Sequence, residues 1–229
     1  MHLRELVNLA AMAPLAMLLS GCMAQEHRLT YLALGDSYTI GEAVSEQERF
    51  PMQLAARLRE RGVDLCDPTI VATTGWTTEE LLKGISQRSD LETYDLVTLL
   101  IGVNNQYRGL PLDIYRKELR GLLSKAIGFA KNRKDRVLMV SIPDYGLSQL
   151  GKSKGAERIA RELDMFNQAA RVEAKAQGVV FVDITPASRE AGKEPGGFAP
   201  DGLHPSASQY GAWVKEILPY AEAALRNSE

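Results

Sequence analysis

Short apolar runs alternate with longer amphipathic segments along most of the chain. The apolar or β-branched runs occupy residues 29–34, 69–73, 96–101, 137–142 and 179–184. The run from Leu96 to Ile101 is almost wholly apolar, which is typical of a strand buried on both faces of a parallel sheet. Strands that alternate with helices in this way predict an α/β fold, in which helices cover both faces of a five-stranded parallel sheet.

Apolar residues at helical spacing predict the helices between these strands. Ser45 and Glu48 form a capping-box pattern, and the helix that follows places Phe50, Leu54 and Leu58 on one face. Other helices are predicted to begin near residue 78, to follow Pro111, to span 157–177 and to span 205–226 with a kink near Pro219.

Two connections, 143–156 and 185–204, are longer than the usual loops of a compact domain. Long loops of this kind are usually functional or mobile. Neither loop marks a boundary to a second domain, and the chain shows no internal repeat. A single folded domain is therefore predicted over residues 29–226.

The N-terminus has the pattern of a targeting segment. The apolar stretch from Leu9 to Leu19 is too short to span a bilayer comfortably, but it matches the apolar part of a secretory signal. Residues 19–22, Leu-Ser-Gly-Cys, resemble a bacterial lipobox. The resemblance implies a lipoprotein signal peptide at 1–21, a lipid on Cys22, a tether at 22–28 and a membrane anchor in the bacterial cell envelope, on the periplasmic or extracellular face. An ordinary cleaved signal with an incidental cysteine is the alternative.

Composition excludes several classes of protein. The 229 residues carry a net charge of −2, so nothing favours a nucleic-acid partner. The chain has only two cysteines and three histidines, and they lie far apart, which argues against a His/Cys metal site and against a disulfide scaffold. No metal is therefore expected, and the oligomeric state is left open.

Candidate chemistry lies just past the ends of the predicted strands. Gly35-Asp36-Ser37 follows the first strand, Gly75 the second and Asn104 the third, while Asp201 and His204 come after the fifth. In open α/β sheets ligands bind beyond the carboxyl ends of the strands, so residues far apart in sequence converge there.

These residue types supply the parts of acyl transfer. Ser37 offers a hydroxyl that needs a neighbouring base, and His204 is the only credible base in the chain. Asp201 lies close enough in sequence to orient the imidazole, although Asp144 and Asp183 are rival candidates near strand ends. A developing oxyanion would face three donors, which are the Ser37 N–H, the Gly75 N–H and the Asn104 side-chain amide.

The same motifs resemble the four blocks of the SGNH hydrolase (GDSL-type esterase/lipase) family, in order and in approximate spacing. The resemblance implies a three-layer, flavodoxin-like α/β/α fold without a cofactor. It also implies that Ser37, Gly75, Asn104 and His204 are the signature residues, with Asp201 as the third member of the triad. One position departs from the pattern, because Asn105 stands where family members often have Asp. The departure affects fine positioning of the loop.

The implied activity is serine-dependent hydrolysis of carboxylic esters through an acyl-enzyme intermediate. The candidate substrates are lysophospholipids and short acyl esters, or the acetyl groups of cell-wall or dietary polysaccharide. Tyr38, Trp76, Tyr107 and Arg108 follow signature residues and are candidates either for the pocket wall or for packing.

Two other functions compete with ester hydrolysis. The first is a catalytically silent, surface-anchored carbohydrate-binding relative of the same fold. The second is a flavodoxin-like cofactor binder, which Asp36 disfavours because its charge repels phosphate. A classical α/β-hydrolase is disfavoured because a Gly-x-Ser-x-Gly elbow is missing around Ser37.

Overall fold

The structure, a computed structural model, describes residues 28–226. The signal peptide predicted at 1–21, Cys22 and all of the predicted tether but its last residue lie outside the described residues. Within 28–226, no helix combines the length and the apolar character needed to cross a bilayer.

The predicted five-stranded parallel sheet is confirmed. Its strands are β1 (Tyr31–Gly35), β2 (Thr69–Ala72), β3 (Leu96–Leu100), β4 (Val137–Val140) and β5 (Val180–Val182). They lie in the order β2-β1-β3-β4-β5, and every neighbouring pair is parallel. This is the flavodoxin-like strand order. All residues of β1, β3 and β4 are buried, as the apolar runs predict for the middle of a sheet covered on both faces.

Nine helices connect and cover the strands in the described part of the chain. They are α1 (Ser37–Ile40), α2 (Phe50–Glu60), α3 (Thr78–Ser86), α4 (Val103–Tyr107), α5 (Leu112–Phe129), α6 (Gln149–Lys154), α7 (Ala156–Gln177), α8 (Thr185–Ala191) and α9 (Ala207–Arg226). Helix α2 packs on α9 in one layer, and α3 packs on α5, which packs on α7, in the other. In the sheet, the connection from β1 to β2 runs in one direction and every later connection runs in the opposite direction. Because such connections are right-handed, α2 lies on one face of the sheet and α3, α5 and α7 lie on the other.

Four local expectations were wrong in detail. The capping box of Ser45 and Glu48 forms, but it caps the start of a 3₁₀ helix at Glu46–Glu48. Helix α2 begins only at Phe50 and has a proline in its first turn. The segments 143–156 and 185–204 are not plain loops, because they contain α6 and α8. Helix α9 begins at Ala207 rather than at 205, and Pro219, where a kink is predicted, lies inside it.

Candidate active site

The chain turns sharply where β1 ends. A Cβ on Gly35 would lie 2.5 Å from the carbonyl oxygen of Leu100 on β3, so only glycine fits this close approach. Asp36 then caps α1, and its Oδ1 accepts a hydrogen bond from the Tyr38 N–H at 3.0 Å. Ser37 is the first residue of α1, so its backbone N–H belongs to the group of helix N-terminal donors without an intrahelical acceptor. The Ser37 side chain therefore sits on a rigid turn at the sheet edge.

The capping carboxyl has an unusual environment. Asp36 is fully buried, and burial raises its pKa to about 7 against the opposing effect of the Tyr38 N–H. Within residues 28–226, its second oxygen, Oδ2, has no hydrogen-bond partner. Asp36 is thus held by one oxygen only, directly before the candidate nucleophile.

Hydrogen bonds from side chains of α4 and its C-cap hold the turn at Gly75. Gly75 has a φ of +85°, a conformation that glycine adopts without strain. Arg108 Nη2 donates a hydrogen bond to the Gly75 carbonyl at 2.5 Å, and Asn104 Nδ2 donates one to the Trp76 carbonyl at 2.9 Å. Asn104 and Arg108 lie four residues apart, which places them on one face of α4. Two successive carbonyls of the turn are therefore bound by side chains of a single helical turn.

Asn105, the position that departs from the family pattern, joins α4 to α3. Its Oδ1 accepts the Thr78 N–H at 3.0 Å, and its Nδ2 donates to the Thr78 hydroxyl oxygen at 2.7 Å. The Thr78 hydroxyl in turn donates a short hydrogen bond to the Glu118 carboxylate on α5. Asn105 is fully buried and does not reach the cavity, so its contacts are structural.

His204 is oriented by Asp201 in the loop before α9. The His204 Nδ1 lies 2.6 Å from Asp201 Oδ2, while Asp201 Oδ1 accepts the backbone N–H groups of Leu203 at 2.9 Å and His204 at 3.0 Å. Partial burial acts to raise the pKa of Asp201, but the hydrogen bonds from the His204 side chain and these N–H groups outweigh it and lower the pKa. The arrangement leaves Nε2 as the ring nitrogen that is free to act on a substrate.

The two rival carboxylates are engaged elsewhere. Asp144 pairs with Arg189 at 2.8 Å, and Asp183 pairs with Arg171 at 2.7 Å. Neither hydrogen-bonds to His204.

Four of the residues singled out by the sequence line one cavity of about 220 Å³. They are Ser37, Gly75, Asn104 and His204. The remaining wall is mainly aromatic and aliphatic, and it comprises Tyr38, Thr74, Val103, Tyr107, Tyr145, Leu150 and Leu203. Ser37 is only 5% exposed and the His204 side chain 13%, so both reach solvent chiefly through this cavity. Asp201 does not line it and stands behind His204.

Comparison with known proteins decides the family. The model of the GDSL-like lipase/acylhydrolase family matches residues 33–212. The chain belongs to this family. An arylesterase of Vibrio mimicus is 29% identical over 192 residues, which cover 82% of this chain and 84% of the relative. The family assignment makes the protein an esterase or acylhydrolase, which confirms the class of reaction expected from the motifs.

Two solved structures share the fold of this GDSL-like protein. TesA superposes with a TM-score of 0.69 at 20% identity, covering 86% of this chain and 99% of the other. An acetylxylan esterase of Geobacillus stearothermophilus superposes with a TM-score of 0.66 at 18% identity, covering 84% of this chain and 94% of the other. At these identities the likeness establishes the three-layer α/β fold alone.

The side chains that follow the signature residues divide into two pairs. Tyr38 and Tyr107 line the cavity of the GDSL-like protein. Trp76 instead packs against the glycine at position 84, where an added Cβ would lie 2.2 Å from its ring. Arg108 binds the Gly75 carbonyl rather than lining the wall.

Sequence reasoning missed two wall residues, Tyr145 and Leu150. Both come from the segment after β4, where the sequence offers only Asp144, as a rival orienter of the histidine, and no wall residue. The length of that segment was the available signal. In the described part of the chain, no cluster of three or more His, Cys, Asp or Glu side chains is placed to hold a metal ion.

Proposed function

We propose that this protein hydrolyses carboxylic esters through an acyl-enzyme intermediate on Ser37, with His204 as the base. One observation carries the proposal. Asp201 binds His204 Nδ1 at 2.6 Å, and this orients the imidazole of a residue that shares one cavity with Ser37. A serine hydroxyl becomes nucleophilic when an oriented imidazole accepts its proton.

The steps follow from these roles. Ser37 Oγ attacks the ester carbonyl while His204 Nε2 accepts the hydroxyl proton, and the carbonyl oxygen becomes an oxyanion. The intermediate collapses, the C–O bond to the alcohol breaks, and the imidazolium returns its proton to the departing alkoxide. Water then attacks the acyl-enzyme while His204 Nε2 accepts its proton. The bond to Ser37 Oγ breaks and the imidazolium returns the proton to Oγ, which releases the carboxylic acid and restores Ser37.

Three donors are proposed for the oxyanion. They are the Ser37 N–H at the start of α1, the Gly75 N–H and the second N–H of the Asn104 amide, whose first is used by Trp76. Donors fixed before the reaction stabilise developing charge without reorganisation, and each is worth roughly a hundredfold to a thousandfold in rate. The bonds from Arg108 and Asn104 supply that fixation.

The volume of the cavity favours a substrate with a short acyl group. Its volume of about 220 Å³ lies below the range of roughly 300–1,000 Å³ that is usual for pockets holding drug-sized ligands. An arylesterase and an acetylxylan esterase are among the proteins that this chain resembles, so aryl esters and acetylated glycans are the first substrates to test. Lysophospholipids would require the acyl chain to extend beyond the cavity.

The test compares wild type with Ser37→Ala and with Ser86→Ala, an exposed serine at the end of α3. We expect wild type and Ser86→Ala to react with a fluorophosphonate probe and to hydrolyse nitrophenyl esters, with rates falling as the acyl chain lengthens. Ser37→Ala should do neither while keeping its fold. Activity retained in Ser37→Ala would refute the assignment. A folded wild type that hydrolyses no ester but binds glycans would instead be the silent carbohydrate-binding relative.

The membrane anchor is part of the proposal. Cys22 directly follows the small residues at the end of a short apolar stretch, which supports cleavage before it and lipidation of its sulfur. Several acyl chains on one residue would hold the enzyme at a membrane of the bacterial cell envelope. The catalytic domain begins within ten residues of that cysteine, so it would work close to the membrane surface.

A further inference from the structure

A second hollow lies beside the catalytic cavity and shares part of its wall. Its volume is about 350 Å³, and its lining includes Tyr107 and Tyr145, which also line the catalytic cavity. The two rings meet edge to face with their centroids 6.3 Å apart. The two rings therefore form a wall that separates the two cavities. Tyr107 is 47% exposed, so the Tyr107 side of this wall is open to solvent. The second hollow therefore adjoins the catalytic cavity across Tyr107 and Tyr145.

The charges around the second hollow leave one cation in excess. The carboxylate of Glu162 is neutralised by Arg158 at 3.1 Å and also accepts a hydrogen bond from Gln106 at 2.6 Å. Lys154, at the end of α6, has no carboxylate within 4.0 Å among residues 28–226. Its charge is therefore uncompensated where it faces the hollow.

Tyr107 holds the ammonium group of Lys154 in place. The Lys154 Nζ lies 2.9 Å from the Tyr107 hydroxyl oxygen and 4.3 Å from the centre of the Tyr107 ring. A cation over a tyrosine ring is attracted by the ring electrons, and one of its three N–H groups is used by the hydroxyl. Two N–H groups remain for an anion. Leu110, Met165 and Phe166 add an apolar surface to the same hollow.

We propose that the second hollow binds an anionic group of the ester substrate, a carboxylate or a phosphate, through Lys154. This inference rests on the proposed ester hydrolysis, because the group is covalently part of the ester bound at Ser37. The preferred substrate is thus an ester that carries a single negative charge beyond Tyr107, with a short carbon skeleton on Leu110 and Met165. Recognition by one partly exposed ammonium favours anionic over neutral esters of the same shape.

The test measures kcat/KM for matched charged and neutral esters. One pair carries the charge on the acyl side, nitrophenyl hemisuccinate against its methyl ester. The other carries it on the alcohol side, 4-acetoxybenzoate against its methyl ester. We compare wild type with Lys154→Gln, Lys154→Glu and the control Lys152→Glu, which makes the same charge change on α6 at a residue outside the hollow.

We expect Lys154→Gln to lower kcat/KM about fivefold for one anionic ester, mainly through KM, and Lys154→Glu to lower it further. The neutral partner should change less than twofold, and high salt should reduce the effect. The pair that responds identifies which part of the substrate enters the hollow. The neutral ester also reports any movement of Tyr107 in the variants.

Equal losses for anionic and neutral esters would overturn the proposal, because they would mean that Lys154 only supports the cavity wall. An equal response to Lys152→Glu would overturn it as well, because the effect would then be one of overall charge. In both cases the neutral esters would still be hydrolysed, and the proposed function would stand. A folded wild type that hydrolyses none of the four esters would refute both.

Discussion

Arg108, the C-cap residue directly after α4, donates a hydrogen bond to the carbonyl of Gly75 at 2.5 Å. The same guanidinium reaches Glu80 Oε1 at 3.3 Å, which ties it to α3. Gly75 has the conformational freedom of a glycine at positive φ, so its orientation depends on outside contacts. We therefore expect Arg108 to act as a positioning residue for the proposed oxyanion donor, the Gly75 N–H, although Arg108 does not line the cavity.

Arg108→Ala is expected to lower kcat by roughly tenfold to a hundredfold with little change in KM, because a mispositioned oxyanion donor affects the transition state most. Arg108→Lys should recover only part of the loss, since an ammonium lacks the planar fork of guanidinium. Arg57→Ala, which removes an exposed ion pair on α2, is the control. Steady-state rates on a nitrophenyl ester and thermal unfolding check both. An unchanged kcat in Arg108→Ala would contradict this role.

Asp201→Asn should reduce kcat by about 10⁴-fold, and His204→Ala by about a hundredfold more. In the proposed mechanism, aspartate orients the imidazole and stabilises its charged form, whereas histidine transfers the proton. Asp183→Asn is the matched control, because Asp183 binds Arg171, Ser141 and Thr185 and makes no hydrogen bond with His204. Single-turnover rates with an activated ester measure all three. If Asp201→Asn equalled wild type, another group would have to orient the base.

The sheet and the site core were predictable because they depend on regular geometry. Parallel strands bring their carboxyl ends to one rim, so Ser37, Gly75 and Asn104 converge there whatever separates them in sequence. The pair of Asp201 and His204 was predictable for a local reason, since three residues in one loop keep the two side chains within reach. Apolar or β-branched runs predict every strand, and the helical spacing of apolar residues predicts the long helices.

The remaining features depend on tertiary contacts that have no local pattern. Helix α6 is short and starts at the Ser148 cap inside a segment without apolar periodicity, so the sequence predicts a loop there. Tyr145 and Leu150 reach the cavity only because that segment folds back over the sheet edge. The partner of Arg108 was equally hidden, because a long side chain can reach many acceptors and the sequence does not say which.

Cys22→Ser should move the protein from the membrane fraction to the soluble fraction, because the acyl chains that would hold it there cannot be attached. The chain offers a matched control in its other cysteine, Cys66, which is a free thiol within the folded domain. Cys66→Ser should stay with the membrane. Fractionation of cells that express each variant, followed by immunoblotting, measures the distribution. Membrane retention of Cys22→Ser would mean that something other than a lipid is the anchor.

Asp36→Asn should stabilise the protein at high pH and leave it unchanged at low pH. Burial raises the pKa of Asp36 from 3.8 to about 7 in the folded state, so the folded protein keeps a proton that the unfolded chain releases. The resulting contribution to stability is complete below pH 3.8 and is lost as the pH rises through 7. Asparagine has no charge to bury, and its amide oxygen can still cap the Tyr38 N–H.

Urea unfolding of wild type and Asp36→Asn at pH 4 and pH 9 checks this. The rise in the pKa of Asp36 from 3.8 to about 7 corresponds to a difference of at most about 4 kcal/mol between the free energies of unfolding of the two proteins at pH 9. The two proteins should be nearly equal at pH 4. A difference of the same size at both pH values would show that charge burial is not its cause.

Asn105→Asp restores the residue that family members often carry, yet it should destabilise this chain. The Thr78 N–H requires an oxygen at Oδ1 of residue 105, so the group facing the Thr78 hydroxyl is the amide nitrogen. That leaves the hydroxyl hydrogen for Glu118. An aspartate would place a second acceptor on the hydroxyl, and one hydrogen cannot serve two carboxylates. One acceptor would be left unpaired in a largely buried place, at a cost of about 1–3 kcal/mol.

The compensating change is Glu118→Gln, whose amide can donate to the Thr78 oxygen while the hydroxyl donates to Asp at 105. The double variant should therefore be more stable than Asn105→Asp alone, with a coupling energy of about 1 kcal/mol or more. Because Asn105 anchors α4, which carries Asn104 and is capped by Arg108, kcat should fall in Asn105→Asp and recover in the double variant. Urea unfolding and steady-state rates of the four proteins complete the cycle. Strictly additive losses would mean that Asn105 and Glu118 do not share the Thr78 hydroxyl, and that the departure from the family pattern has no partner on α5.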